Sequence, residues 1–344
     1  MGVISMKRFQ ADVAVIAAGP AGLAASIAAA ENNAKVLVLE KSAATGGIGN
    51  MGMGPLGVET RMQRERLMDV TREKAFKIFM DYTHWRVDAL LVKAYLDKSA
   101  DTIEWLMDMG VEFTEPARFF HESLPTWHLV KPDSGRPGPQ SASTMMRRMT
   151  ERAKELGVQF LLETPATKIR RDNGRITGVT AVDKTGEVIE VDAKAVVVAT
   201  GGFAGNKQWV REYTGFEVGK DLFTHCNPDI AGDGLRMAWE VGAGKTEMTM
   251  ELNYLIPDNM GYFAIDAVMR QPNLMVNLSG ERFLNEEIMG NGTFTGNAIA
   301  RQKGRCAFVI MDESIKRHYR RNGLDLVSFV HGADIIDRFD SEIE

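Results

Sequence analysis

Apolar residues follow three textures along the 344-residue chain. The first is the short unbroken run. Asp12 to Ala17 (DVAVIA), Lys35 to Glu40 (KVLVLE) and Ala195 to Thr200 (AVVVAT) are brief, mostly aliphatic and valine-rich, so they read as buried strands. The second is helical spacing. Pro20 to Asn32 (PAGLAASIAAAEN) predicts a helix with Pro20 in its first turn, where a missing N–H costs nothing. Further helices are predicted over about 64–85, 88–109, 141–156 and 235–241, with Asp88 as an N-cap and Gly110 and Gly157 as stops. The third texture has period two. Residues 159–163, 167–171, 175–182 and 187–191 predict the strands of a meander. Its turns fall at Asn173-Gly174 and Lys184-Thr185-Gly186, and it runs directly into the strand at 195. From about Met248 short strands (274–277 and 307–311) mix with short helices. That change places a boundary between 1–247 and 248–344.

Composition narrows the function classes. Lys plus Arg is 41 and Asp plus Glu is 46, a net charge of −5 with no basic block, which argues against a nucleic-acid partner. The hydrophobic fraction of 44% excludes global disorder. Cys226 and Cys306 are too far apart for a CxxC pair and too few for a four-cysteine zinc site or an iron–sulfur cluster. They read as two buried, reduced thiols of a cytoplasmic protein. No apolar stretch is long enough to predict a membrane span, and MGVISMKRFQ lacks a signal-peptide core.

The chemistry gathers at strand ends. A buried strand, the turn Ala17-Ala18-Gly19-Pro20-Ala21-Gly22, a small-residue helix and a strand ending in Glu40 form a dinucleotide-binding βαβ pattern. Gly19 permits close approach of a pyrophosphate to backbone N–H groups and the helix N-terminus. Gly22 permits tight helix–strand packing. Ala17 stands where the motif's first glycine belongs, which is tolerable only if the backbone there does not need a positive φ. Glu40 can accept from ribose hydroxyls and repels a 2′-phosphate, a reading favoured over that of an ordinary strand-end carboxylate. FAD and NAD both use this unit. The meander followed by a strand ending in ATGG is the layout of FAD-binding oxidoreductases and argues against a nicotinamide-binding protein.

The segments VIAAGPAGLAASIAAAENNAKVLVLEK, TGGIGNMGMG, SGRPGPQSA, KAVVVATGGFAGN, AGDGLRMAWEVGA and NLMVNLSGERFLNEE carry a more specific signal. In this order the chain resembles the fumarate reductase/succinate dehydrogenase flavoprotein family, of the soluble type that includes flavocytochrome fumarate reductases and ketosteroid dehydrogenases. The resemblance implies an α/β fold: a Rossmann-like FAD-binding domain with a β-meander over 1–247, and an incomplete α+β capping domain over 248–344. It implies hydride transfer between FAD and an activated C=C or CH–CH bond of a small-molecule substrate, with a separate protein or subunit as electron partner. Ala18, Gly19, Pro20, Ala21 and Gly22 would hold the FAD pyrophosphate. Glu40 and Lys41 would face the adenosine ribose. Thr45, Gly46 and Gly47 would approach the cofactor, Ala166 would meet adenine through its backbone, and Thr200 and Gly201 would lie against FAD from the later strand. Asp233 would sit beside the flavin, or else cap the helix that follows it. Where some members bond FAD through a histidine, this chain has Ile48, so FAD should be noncovalent.

The resemblance also has gaps. Aligned on the segment around Arg282, the family's substrate-binding His falls on Asn253 and its Thr on Ile265. Its relay Glu falls on Asp266 and its relay Arg on Met269, beside Arg270. Its acid Arg falls on Gly290. Glycine cannot bind a carboxylate or polarise a bond as arginine does, so fumarate is not the expected substrate. Asp266 and Arg270 remain the catalytic candidates, with Asn253, Tyr254 and Tyr262 as further cavity residues and Arg136 matching a family arginine. Met51, Met53, Met107, Met109, Met145, Met146, Met248 and Met250 fill the core or line an adaptable apolar cavity. His121, Trp127 and His128 read as structural. The family's returning strand and Gly-rich helix start have no counterpart here. That leaves a truncated, inactive FAD- or nucleotide-binding fragment as the alternative.

Overall fold

The computed structural model describes residues 6–118, 123–135, 137–138, 140–223, 229–250, 273–310 and 312. Its centre is a six-stranded sheet built on β1 (Met6–Ile16). The last part of β1 pairs in parallel with β2 (Val36–Leu39), from Val13 opposite Val36 to Ile16 opposite Leu39. On its other side β1 pairs in parallel with β6 (Val188–Val198), from Met6 opposite Val188 to Ile16 opposite Val198. Only the apolar end of β1 showed in the hydrophobic pattern. Its polar half is held by ladder bonds and by ion pairs from Lys7 to Glu187 and Arg8 to Glu190.

The meander is shorter than the period-two pattern implies. β4 (Ala166–Asp172), β5 (Arg175–Val182) and β6 run antiparallel in sequence, while β3 (Gln159–Leu161) pairs in parallel with β2 at the opposite edge. The sheet order is β3-β2-β1-β6-β5-β4. The predicted strands at 187–191 and 195–200 are one strand. Asp192 and Lys194 interrupt its apolar run, and each is neutralised on the sheet, by Arg170 at 2.5 Å and Asp12 at 2.6 Å.

The helices follow their caps. α1 (Pro20–Glu31) starts at its proline, and α4 (Ala89–Asp108) starts at Asp88, whose carboxylate accepts from Leu90 N–H at 2.9 Å and Leu91 N–H at 3.1 Å. The helix expected over 64–85 is two: α2 (Arg61–Glu65), opened by a Thr60–Gln63 capping box, and α3 (Arg72–Tyr82), capped by Thr71. Leu67 between them has φ 53° and is 92% exposed, so the apolar spacing there did not mark a buried face. α5 (Ala142–Glu155) packs on α1, and Met145, Met146 and Met149 join Leu23, Ile27 and Val38 in the core on that side of the sheet. On the other side Ile16, Leu39, Val179 and Ile189 pack with Met237 of α7 (Asp233–Glu240). Each such fully buried side chain stabilises by roughly 1.5–3 kcal/mol. α6 (Lys207–Thr214) lies between β6 and α7 in sequence.

Beyond the sheet, β7 (Leu274–Val276) and β8 (Phe308–Ile310) form an antiparallel pair, with α8 (Gly292–Ala300) between them in sequence. The Thr293 hydroxyl of α8 donates to the Tyr82 hydroxyl of α3 at 2.6 Å, and Phe294 packs on His84. Cys306 is exposed and free, not buried as its composition-based reading held; Cys226 lies outside the described residues.

Candidate functional site

β1 leaves for β2 on one side and meets β6 on the other, so the carboxyl ends of β1 and β6 flank a topological switch point. The described residues among those predicted to hold the cofactor gather around these strand ends. Ala17 N–H donates to Leu39 O at 2.7 Å and Ala199 N–H to Ile16 O at 3.0 Å, which aligns the three strand ends. Ala17 has φ 80°, so the position does need the left-handed backbone that its alanine was expected to avoid. Gly22 is obligatory for packing: a Cβ there would lie 1.9 Å from Ala17 O. Gly19 is the reverse case. Nothing lies within 4 Å of the place its Cβ would take.

The segment 45–47 folds over this turn. Gly46 N–H donates to Ala18 O at 2.8 Å, and a Cβ on Gly47 would meet the Gly19 Cα at 3.4 Å. Gly46 (φ 100°) is held by Asn50, whose side-chain N–H donates to Thr45 O at 2.9 Å and whose amide fills the space a Cβ would need. Thr45 is tied to α5 through a hydroxyl–hydroxyl bond to Thr150 at 2.7 Å. Asn50 and Thr150 were not anticipated. Both act through local polar bonds that leave no periodic trace in a sequence.

Glu40 is 6% exposed and turned back into the turn. Its Oε2 accepts from Ala18 N–H at 2.7 Å and its Oε1 from Ser42 N–H at 2.8 Å. A carboxylate has roughly four lone-pair sites, so acceptor capacity remains for a hydroxyl. Lys41 forms an ion pair with Asp233 at 3.1 Å and donates to Asp229 O, joining the end of β2 to the loop before α7. Asp233 is not a cap. Gly232 (φ 83°) is the N-cap residue and Asp233 opens the first turn. Thr200 packs against Gly234, and Gly201 (φ 73°) lies near Ile230. Ala166 stands two residues past Thr164, whose N–H donates to Glu40 O at 2.8 Å, so the start of β4 is drawn toward the same strand end. Asp266 and Arg270 lie outside the described residues, as do Asn253, Tyr254, Tyr262, Ile265, Met269, Arg136 and His121.

These residues fit a dinucleotide. The first turn of α1 has neither a side-chain cap nor an acidic residue, so its N–H groups face the glycine cleft unmatched by side chains. The family model for the FAD binding domain matches residues 12–331. The chain belongs to the FAD binding domain family. Among relatives of this FAD binding domain chain, vinyl phenol reductase of Lactiplantibacillus plantarum is 31% identical over 97% of the chain and 68% of its own length. NADH:fumarate oxidoreductase of Klebsiella pneumoniae is 29% identical over 89% of the chain. The chain spans only 32% of that relative's length. The solved 3-ketosteroid-Δ4-(5α)-dehydrogenase from Rhodococcus jostii RHA1 superposes with a TM-score of 0.78 at 25% identity, over 91% of this chain and 68% of that one.

His128 is fully buried and engaged through both ring nitrogens. Its Nε2 bonds the Thr60 hydroxyl at 2.9 Å and its Nδ1 the Thr126 carbonyl at 3.0 Å. Burial pushes its pKa below the usual histidine value. The bonds His128 N–H to Pro55 O and Val130 N–H to Met53 O strap the continuation of the glycine loop to the same segment. Met53, Met145 and Met146 are core residues, whereas Met248 and Met250 line a cleft of about 240 Å³ with Arg86 and Glu247.

Proposed function

We propose that the protein is an oxidoreductase that holds FAD noncovalently at this cleft and acts on the activated C=C or CH–CH bond of a small, uncharged substrate. The observation that carries the reading is the open side of Gly19 beneath Gly47, at the uncapped start of α1, in a chain of the FAD binding domain family. The N–H groups of Ala21 and Gly22 would hold the pyrophosphate, with Ala18, Gly19 and Pro20 shaping its approach. The remaining lone pairs of Glu40 would accept from ribose hydroxyls, and Lys41 would keep Asp233 and the 229–234 loop in place. Thr45, Gly46, Gly47, Thr200 and Gly201 would line the cofactor's path, with Ala166 at its adenine end. Bound FAD supplies the hydride chemistry.

Ile48 in the place of the family's linking histidine supports a noncovalent cofactor. Gly290 in the place of the acid arginine, together with a relative named for vinyl phenol, supports an uncharged substrate in place of fumarate. Asp266 and Arg270 would orient the substrate or move its proton. A cytoplasmic location, a cap beginning near residue 248 and a separate electron partner complete the proposal. Gly290 also favours a second reading, a chain that binds FAD without turnover.

The test is an absorbance spectrum of the purified protein followed by acid precipitation. A flavin band released into the supernatant is expected. Under anaerobic conditions the reduced protein should be reoxidised faster by a hydroxystyrene than by fumarate. Flavin in the pellet would overturn the noncovalent assignment, and reoxidation by fumarate alone would overturn the substrate class. Flavin that neither substrate reoxidises would establish the second reading.

A further inference from the structure

A cavity of about 430 Å³ lies between α3, α4 and the 123–127 segment. Its lining residues include Leu56, Ile78, Phe79, Tyr82, Leu96 and Trp127. None of the described residues lining it is charged, and none belongs to the cleft proposed for FAD. Three polar side chains of its wall are already engaged. Trp127 Nε1–H donates to Gly54 O at 3.0 Å, the Thr126 hydroxyl to Leu124 O at 3.4 Å, and the Tyr82 hydroxyl accepts from Thr293.

We propose that this cavity is a binding site for an uncharged aromatic molecule of one or two fused rings, separate from the cofactor cleft. The volume lies within the range of roughly 300–1,000 Å³ typical of small-molecule sites. The rings of Phe79, Tyr82 and Trp127 offer edge and face contacts to an arene. A charged ligand would lose its hydration and find no opposite charge among the described residues that line the cavity. Recognition therefore rests on shape and apolar area.

The probe is 1-naphthol, with 1-naphthoate as its charged counterpart, added to the full chain as purified with its cofactor. Saturable quenching of tryptophan fluorescence and a rise in Tm of about 2–5 °C are expected with 1-naphthol, and neither with 1-naphthoate. Ala75 lies in the wall and is buried, so Ala75→Phe would occupy the cavity. Ile78 is 37% exposed, so Ile78→Trp covers the same space with less risk to folding. Either folded variant should weaken 1-naphthol binding at least tenfold and leave the flavin spectrum unchanged. Equal binding of the two probes, no binding of 1-naphthol, undiminished binding in Ile78→Trp, or displacement of flavin by 1-naphthol would overturn the proposal. None of these readouts requires turnover, so failure here is distinguishable from failure of the reductase reading.

Discussion

Gly19 and Gly22 stand three positions apart, and an added methyl should harm them in different ways. Gly22→Ala drives a Cβ into the Ala17 carbonyl, so it should lower stability by about 1–3 kcal/mol or prevent folding, as thermal melting would show. Gly19→Ala meets nothing in the free chain and should keep the parent Tm. Its methyl points into the proposed cofactor cleft, so FAD affinity should fall roughly tenfold or more in a titration, a penalty of about 1.4 kcal/mol. An unchanged FAD affinity would move the cofactor elsewhere. Ala17 offers the opposite experiment. At φ 80° the alanine sits in backbone space that costs an L-residue about 1–2 kcal/mol, so Ala17→Gly should hold or raise Tm despite glycine's greater unfolded freedom. His128 sets an acid limit. Burial lowers its folded pKa below the unfolded value of about 6.5, so the unfolded chain binds the proton more readily. Its neutral form is fully stabilising above pH 6.5, and stability should fall as pH drops through that value toward the folded pKa. His128→Gln should lower Tm at pH 8 and flatten the slope between pH 6.5 and 5.

At the scale of elements, charge pairs and caps decide where structure begins and ends. Arg282 Nη2 and Glu286 Oε2 pair at 2.5 Å just after β7, and this guanidinium holds the Glu286 carboxyl at about 2, below its ordinary 4.5. That contribution is present above pH 4.5 and is lost as pH falls toward 2. Arg282→Gln should therefore start acid unfolding at a higher pH, followed by circular dichroism. Much of this level was legible in the sequence. Asp88 announced α4, Pro20 announced α1, and Asn173-Gly174 (φ 46° and 83°) announced the β4–β5 turn, because each residue type answers a local backbone requirement. The glycines and Glu40 of the site were legible for the same reason. β3 was not. Three residues after a helix carry no sign of whether they pair forward or across the sheet, and only the packing of α5 on α1 sends them to β2. Nor did spacing reveal the break at Leu67, or Asn50 as the residue that closes the loop over Gly46.

At the scale of the whole molecule, the proposed cofactor would touch pieces that only tertiary structure joins: the β1 turn, the end of β2, the 45–47 loop and the loop before α7. Removing FAD should therefore cost more than the contacts of any one piece. At a free concentration one hundred times Kd, bound ligand adds about 2.7 kcal/mol, so dialysed protein should melt several degrees lower and recover when FAD is restored. A Tm indifferent to FAD would mean that the cleft does not bind it. The central position of β1 has a further consequence, for birth on the ribosome. β1 can join β2 almost as soon as it emerges, but its other neighbour, β6, lies roughly 180 residues downstream, so that closure is a slow, non-local step. At a synthesis rate of about 5–20 residues per second, the nascent strand waits on the order of 10–40 s with one row of N–H and C=O groups bare. During that interval the edge is open to any other extended chain. Lys7 and Arg8, which later meet Glu187 and Glu190, put charge on that waiting edge.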